Sequence, residues 1–209
     1  MKKRNDASLI KRQVDELKWR AVIDTAIDLF YENGYAGTSI DMIAGQLGVT
    51  KPFIYYRFAS KSDLLTEVFA QAEEHVVNET VDILKSRMSP VQKYHLIVRS
   101  FAKVACEHWK LMAVFFTEER HLPEEKLAHH KQFLGAFESN VSSLLERGKK
   151  SGDFQFGDTK VTVNALIGMV IWLYTWIDDV PEGKRDKVVD ELTDLALALV
   201  RCPPMPPPT

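Results

Sequence analysis

Hydrophobic residues recur every three or four positions over most of the chain, which is the period of an amphipathic α-helix. The first such segment runs from Val14 to Glu32, and Asn33-Gly34 follows it as a helix C-cap. Alternating β-branched residues between Asn-Gly or Asp-Gly turns, which would indicate β-hairpins, are absent from the sequence. The pattern therefore predicts an all-α protein of about nine helices.

Two short helices in the N-terminal third predict a helix-turn-helix. Thr38 and Asp41 form a pair like a capping box before a helix that stops at Gly48. Thr50 caps the next helix, which ends near Phe58. With the long helix before them, these make a three-helix domain whose last short helix enters the DNA major groove.

The remaining helices follow from apolar stripes separated by proline and glycine residues. Ser60 caps the fourth helix of the chain. The predicted ranges from there on are 64–86, 90–107, 109–121, 124–148, 159–178 and 184–200. The predicted organisation is a basic arm (1–13), a helix-turn-helix DNA-binding domain (14–63), a helical ligand-binding and dimerisation domain (64–201) and a Pro-rich disordered tail (202–209).

Charge is distributed unevenly although its total is small. The net charge of the 209 residues is −2, so the protein as a whole does not attract nucleic acid. Residues 1–65 contain ten Lys and Arg against eight Asp and Glu, whereas residues 66–209 contain seventeen against twenty-one. The positive balance thus lies at the predicted DNA-binding end. The arm holds five basic residues that either follow the minor groove or stay solvated: Lys2, Lys3, Arg4, Lys11 and Arg12.

One uncharged segment bears on whether the chain enters a membrane. Seventeen residues from Val161 to Ile177 lack charge, against the roughly 17–25 residues that a spanning helix needs. Acidic residues flank this segment without basic anchors, so we expect a buried helix and no membrane partner. The N-terminus has no apolar stretch typical of a secretion signal, and Cys106 and Cys202 lack metal-ligand spacing. We therefore expect a cytoplasmic protein with reduced thiols and no cofactor.

A Glu-x-x-His pair raises the alternative of a di-iron enzyme. Glu118 and His121 have this spacing, but such enzymes need two pairs and two further glutamates. Pro123 interrupts the helix, and the neighbours His129 and His130 are expected to point apart. We therefore expect no catalytic or metal site. A dimeric helical adaptor that binds an effector and not DNA remains a further alternative.

A block of short motifs lies between residues 26 and 65. In order, the motifs are Gly34-Tyr35, Thr38-Ser39, Ile43-Ala44, Leu47-Gly48-Val49, Tyr55-Tyr56, Phe58, Ser60-Lys61 and Leu64-Leu65. This block resembles the DNA-binding domain of TetR-family transcriptional regulators, and the helical remainder fits that family's ligand-binding domain. The resemblance implies a homodimer that represses from a palindromic double-stranded operator and is released by a small apolar effector.

The residue types agree with a DNA contact. Hydroxyl groups and free backbone N–H groups at a helix N-terminus bind phosphate, as expected for Thr38 and Ser39. The resemblance implies that Tyr55 and Lys61 contact the DNA backbone. It also implies that the recognition helix starts at Thr50. The residues that it implies face the bases are Lys51, Pro52, Phe53, Tyr56 and Arg57.

Three of these assignments have structural alternatives. Tyr55 and Phe53 also fit a protein core, and Lys61 also fits a solvated surface. Arg57 departs from the family, which often has an aromatic residue or histidine there, so its role as a guanine or a phosphate contact is open.

Apolar and aromatic residues of the second half are suited to wall a ligand cavity, with ordinary core packing as the alternative. The candidates are Trp109, Met112, Phe115, Phe116, Phe133, Phe137, Met169, Trp172 and Trp176. Helices 159–178 and 184–200 carry more apolar surface than one core covers, which predicts a four-helix homodimer interface.

A second, local resemblance concerns the effector. Gly168-Met169 to Trp172, then Trp176 and 181–183, resemble regulators of fatty-acid and sterol degradation that respond to acyl-CoA thioesters. Multidrug-type and other apolar effectors remain open. The phosphates of CoA would need cationic partners, for which the sequence offers Arg99, Lys103, Arg120, Arg147, Lys149 and Lys150.

Overall fold

A computed structural model describes residues 2–201, and the side chains from residue 13 onward. This part of the chain contains nine α-helices and no strand, which confirms the all-α prediction. The helices are α1 (Lys2–Gly37), α2 (Ile40–Leu47), α3 (Lys51–Tyr55), α4 (Lys61–Lys85), α5 (Pro90–Glu107), α6 (Trp109–Thr117), α7 (Glu124–Ser151), α8 (Thr159–Ile171) and α9 (Arg185–Leu199). Short 3₁₀ segments lie at Glu119–His121, Trp172–Thr175, Ile177–Asp179 and Glu182–Lys184.

The structure addresses only part of the predictions for the two ends of the chain. The Pro-rich tail (202–209) and the side chains of the basic arm lie outside the described residues. The backbone of the arm belongs to α1, which begins at Lys2 and not at Val14. A minor-groove role for the arm therefore stays a prediction.

Gly34 interrupts α1 where the sequence predicted the end of the first helix. Its backbone angles are φ 70° and ψ 162°, outside the helical region and accessible mainly to glycine. After Gly34 the chain forms one further helical turn, and α1 ends at Gly37. The kink sets the direction in which the chain enters α2.

Several helix ends differ from the predictions. Helix α3 stops at Tyr55 and not at Phe58, and α6 stops at Thr117 before a 3₁₀ turn. Helix α8 ends at Ile171, because the chain then forms 3₁₀ hydrogen bonds such as Trp176 N–H to the Leu173 carbonyl (3.1 Å). Within the described residues, no helix is long and apolar enough to cross a bilayer.

The chain divides into two compact units. The first comprises the described part of Met1–Gln71 together with Val114–Leu127, and the second comprises Ala72–Ala113 with the described part of Ala128–Thr209. In the first unit α1 packs on α2 and α2 on α3, with Phe30, Ile43, Ile54, Leu64 and Leu65 fully buried.

The second unit has two apolar clusters. One joins α5, α7, α8 and α9, and within it the Tyr94 hydroxyl donates to the Ala196 carbonyl at 2.9 Å. The other surrounds Cys106 and Trp109. Burial raises the pKa of the Cys106 thiol to about 11, so it stays protonated and unreactive near neutral pH.

Candidate nucleic-acid interface

Helix α3 is anchored by one side and exposes the other. Ile54 and Phe58, four residues apart, are buried in the first unit. Thr50, Lys51, Pro52, Tyr55, Tyr56 and Arg57 are exposed. The short helix thus presents hydroxyl, cationic and aromatic groups on one accessible surface, which are the groups that reach phosphates and base edges.

The two tyrosines of this surface differ in exposure. Tyr56 is 88% exposed and Tyr55 43% exposed, so the alternative of a core tyrosine at position 55 does not hold in this structure. Phe53 is half-buried, and its ring stacks on Trp19 of α1 with centroids 4.7 Å apart and an interplanar angle of 16°. Only the side of Phe53 away from Trp19 is therefore available to a thymine methyl group.

Lys51 is already paired within the protein. Its Nζ donates to Asp41 Oδ2 of α2 at 2.8 Å, and both side chains are about half exposed. An exposed ion pair contributes little to stability, so little is lost when Lys51 turns to a DNA phosphate or base. The pair links the first residue of α3 to α2.

Ser39, and not Thr38, caps α2. The Ser39 Oγ accepts the Met42 N–H at 3.2 Å and leaves its own hydroxyl hydrogen able to donate. Thr38 is buried, and its hydroxyl lies 2.9 Å from the carbonyl oxygens of both Leu29 and Gly34. The prediction of Thr38 as an N-cap is wrong, and its side chain has no accessible face for a phosphate, because it is buried with its hydroxyl against these two carbonyls.

Lys61 closes the turn that precedes α2. Its Nζ donates to the carbonyls of Tyr35 (2.7 Å) and Thr38 (2.8 Å) and lies 4.1 Å from the centroid of the Tyr35 ring. Burial lowers its pKa, and the nearby Glu118 opposes that effect. The alternative of a freely solvated lysine is therefore wrong: two of the three ammonium hydrogens hold backbone that shapes the N-terminus of α2.

The Glu-x-x-His pair, Glu118 and His121, lies in the first unit. The His121 ring stacks on Tyr35 with centroids 4.8 Å apart, and its Nε2 lies 3.4 Å from Glu118 Oε2. Among the residues whose side chains are described, no group of three or more His, Cys, Asp or Glu is arranged to hold a metal. The pair thus packs behind the turn that Lys61 closes.

His129 and His130 point apart as expected, since the His129 side chain is 69% exposed and the His130 side chain is buried. The two oxygens of Glu73 reach both of them, at 3.4 Å from His129 Nε2 and 3.4 Å from His130 Nδ1. A carboxylate on a neighbouring helix can span side chains that diverge by one residue step along α7.

The predicted ligand wall is only partly assembled in the second unit. Trp109 belongs to the second cluster, where Phe137 and Met169 pack against it, while Met112 is buried and Phe133 half-buried. The remaining candidates lie elsewhere. Phe115 packs on Phe69 and Phe116 in the first unit, and Trp172 and Trp176 are exposed. The 3₁₀ turns after α8 replace the predicted helix and leave both tryptophans outside the clusters.

Helices α8 and α9 pack on each other and leave large apolar side chains uncovered. Val161, Leu195 and Leu199 are exposed, as are the two tryptophans that follow α8. Val161 and Leu199 also line an open cleft of about 490 Å³ with Phe156. Apolar surface of this extent on two adjacent helices is typical of a protein interface.

Sequence reasoning missed two groups of residues in the first unit. Trp19 lies one turn before the buried face of α1, and its only sequence signal was a large aromatic in the apolar stripe. Tyr35 and His121 are 86 positions apart in sequence, so no local pattern could predict their stacking.

Proteins with related sequences and structures were found. A fatty acid metabolism regulator protein of Bacillus subtilis is 25% identical over 163 residues, which cover 77% of this chain and 84% of the relative. A tetR-family regulatory protein from Rhodococcus RHA1 superposes with a TM-score of 0.80 at 19% identity, covering 88% of this chain and 97% of that one. FadR from Bacillus subtilis, solved with stearoyl-CoA, superposes with a TM-score of 0.66 at 21% identity, covering 87% and 99%. These two structural likenesses show the fold.

Two family models match the chain and together span most of it. The model of bacterial regulatory proteins of the tetR family matches residues 22–68, which hold α2, α3 and the surface described above. The model of the tetracyclin repressor-like C-terminal domain matches residues 87–200, more than half of the chain. The resemblance recognised in the sequence is thereby confirmed, and the chain belongs to the TetR family of transcriptional regulators.

Proposed function

We propose that this regulator acts as a homodimer in which α3 of each protomer enters the major groove of a palindromic operator. The observation that carries the proposal is the outward surface of α3, held in place by Ile54 and Phe58. A palindrome requires two recognition helices about 34–36 Å apart, which a symmetric dimer provides. The family assignment points to a regulator and not to an enzyme.

The proposed contacts divide by chemistry. Ser39 and the free N–H groups at the start of α2 bind phosphate, as does the exposed Thr50 at the start of α3. Tyr55 contacts the backbone, and Lys61 contributes its third N–H while holding the turn. Lys51, Pro52, Phe53, Tyr56 and Arg57 face the bases. In this proposal Thr38 does not contact DNA and only positions the turn that precedes α2.

Replacing Tyr56 with alanine tests the base-reading surface. The probe is the DNA duplex that the wild-type protein enriches from a randomised library. Loss of a base contact is expected to weaken binding to this duplex about tenfold. The salt dependence of binding stays unchanged because tyrosine neutralises no phosphate. The unfolding temperature also stays unchanged, since the side chain is 88% exposed.

Tyr31→Ala, which removes a partly exposed tyrosine of α1, is the matched control and should leave DNA affinity intact. Wild-type affinity in Tyr56→Ala would contradict the placement of α3 against bases. The same assay assigns Arg57: a phosphate contact lowers the salt slope by about one in Arg57→Ala, whereas a guanine contact relaxes specificity at one base pair.

The second part of the proposal concerns the effector, for which an acyl-CoA thioester is favoured. The support is the relative that regulates fatty acid metabolism and the similar fold solved with stearoyl-CoA. Trp109, Phe137 and Met169 supply apolar surface in the second unit. Arg147 and Lys150, both exposed near the C-terminus of α7, are candidate partners for the CoA phosphates.

Stearoyl-CoA is expected to weaken binding to the enriched duplex by about 5–150-fold, the usual range of coupling between two sites. It does so only by binding the DNA-free state more tightly. Fluorescence anisotropy of the labelled duplex measures the effect, with free CoA, stearate and a short-chain thioester as controls. Release by stearate alone would point to a fatty-acid effector. Unchanged affinity with every thioester would exclude this effector class.

A further inference from the structure

Helix α3 has few means of holding its own orientation. It contains five residues, and Thr50 at its N-cap makes no side-chain hydrogen bond. Within the helix only Ile54 is buried. Because isolated helices shorter than about 12–15 residues are marginal in water, the position of α3 must be fixed by contacts from other elements.

Trp19 of α1 makes ring contacts with three residues of the recognition segment, which we define as residues 50–58. Its ring is nearly parallel to Phe53, and it is nearly parallel to Tyr56 with centroids 6.5 Å apart and an angle of 20°. It meets Phe58 edge-on, at 6.1 Å and 87°. These separations lie within the 4.5–7 Å over which aromatic rings attract each other. One side chain of α1 thus contacts the half-buried Phe53, the exposed Tyr56 and the buried Phe58.

The position of Trp19 on α1 is not that of a core residue. The side chain is only half-buried, and the fully buried face of α1 begins at Val22. Residues 13–21 otherwise include no buried side chain. Its ring contacts with Phe53, Tyr56 and Phe58 instead join it to the recognition segment.

We infer that Trp19 is a positioning residue for DNA recognition, which orients Phe53 and Tyr56 before the protein meets its operator. This inference rests on the proposed function of α3. Tyr56 projects into solvent, so without a neighbouring ring its side chain distributes over several rotamers, and binding must restore order. A preformed arrangement avoids that loss of entropy. The affinity for a specific DNA site therefore increases, whereas the affinity of nonspecific phosphate binding does not depend on where the aromatic rings point.

The test compares Trp19→Ala with Trp19→Phe on two duplexes, the enriched operator and a scrambled sequence of equal length. In Trp19→Ala, affinity for the enriched duplex is expected to fall about three- to tenfold, from the usual strength of an aromatic pair. Affinity for the scrambled duplex should not change. Trp19→Phe keeps a ring over Phe53 and should restore most of the specificity. Leu17→Ala removes a 63% exposed residue of the same helix and should have no effect.

A spectroscopic readout accompanies the affinities. The difference in tryptophan fluorescence between the wild-type protein and Trp19→Phe isolates Trp19 from the other three tryptophans. This difference should change when the enriched duplex binds and remain constant with the scrambled one.

The outcomes separate this inference from the proposed function. If Tyr56→Ala loses operator affinity and Trp19→Ala does not, the inference is overturned and the proposed function stands. If Trp19→Ala weakens both duplexes in equal proportion, or if phenylalanine rescues nothing, the residue is only structural and the inference again fails. If neither Tyr56→Ala nor Trp19→Ala affects the enriched duplex, the DNA-binding surface itself is misplaced.

Discussion

Gly148→Ala is expected to lower the free energy of unfolding by about 1–3 kcal/mol, the usual cost of overpacking a core. A Cβ atom at this position would lie 2.0 Å from Phe154 Cδ2 and 2.2 Å from Cε2. Phe154 cannot easily withdraw, because it is buried against Tyr94 and its N–H donates to the Gly148 carbonyl at 3.1 Å. The predicted helix 124–148 ends at Gly148, but α7 continues through this residue to Ser151.

Urea denaturation monitored by circular dichroism measures this change. Gly135→Ala is the matched control, since it lies in the same helix and an added Cβ would have no neighbour within 4 Å. That control should stabilise the protein by about 0.5–1 kcal/mol, because alanine loses less backbone entropy in a helix than glycine. The double variant Gly148→Ala/Phe154→Leu should recover part of the loss. Equal stability of the two alanine variants would contradict the close contact with Phe154.

Leu195→Glu is expected to convert the dimer to monomers and to weaken operator binding about 100-fold or more, since two linked half-site contacts become independent. Leu195 is 58% exposed on α9, one turn before the exposed Leu199, and Val161 of the adjacent helix α8 is 68% exposed. We propose that a second copy of the chain covers this surface. In such a symmetric interface the substitution buries two like charges without partners.

Sedimentation equilibrium measures the oligomeric state, and the enriched duplex reports operator affinity. Leu17→Glu places the same charge on a similarly exposed leucine of α1 and should leave the protein dimeric. A Leu195→Glu variant that remains dimeric at nanomolar concentration would show that the dimer forms through another surface.

Local patterns carried much of the fold. The 3.6-residue period predicted α4, α5 and α9 close to their observed bounds, because each helix buries one continuous stripe. Ser60 caps α4 as predicted, with its Oγ accepting the Asp63 N–H at 3.0 Å. The motif block identified the family because helix ends, turn glycines and buried positions of the helix-turn-helix recur at fixed spacing.

Predictions failed where neighbouring residues compete or where distant segments meet. Thr38 and Ser39 are both able to cap a helix, and only the direction of the chain after Gly34 decides between them. The exposure of Trp172 and Trp176 depends on the change from α-helical to 3₁₀ hydrogen bonding after Ile171, which propensity does not specify.

The sequence by itself determined the helical architecture, the family and the location of the recognition helix, because these depend on the spacing of residues within a few helical turns. The tertiary structure alone decided how the recognition surface is held. Lys61 reaches carbonyls more than twenty residues away, and Trp19 stacks on Phe53 across two helices. Such contacts depend on how helices cross and which rotamers fit between them, and these are properties of packing that residue spacing does not encode.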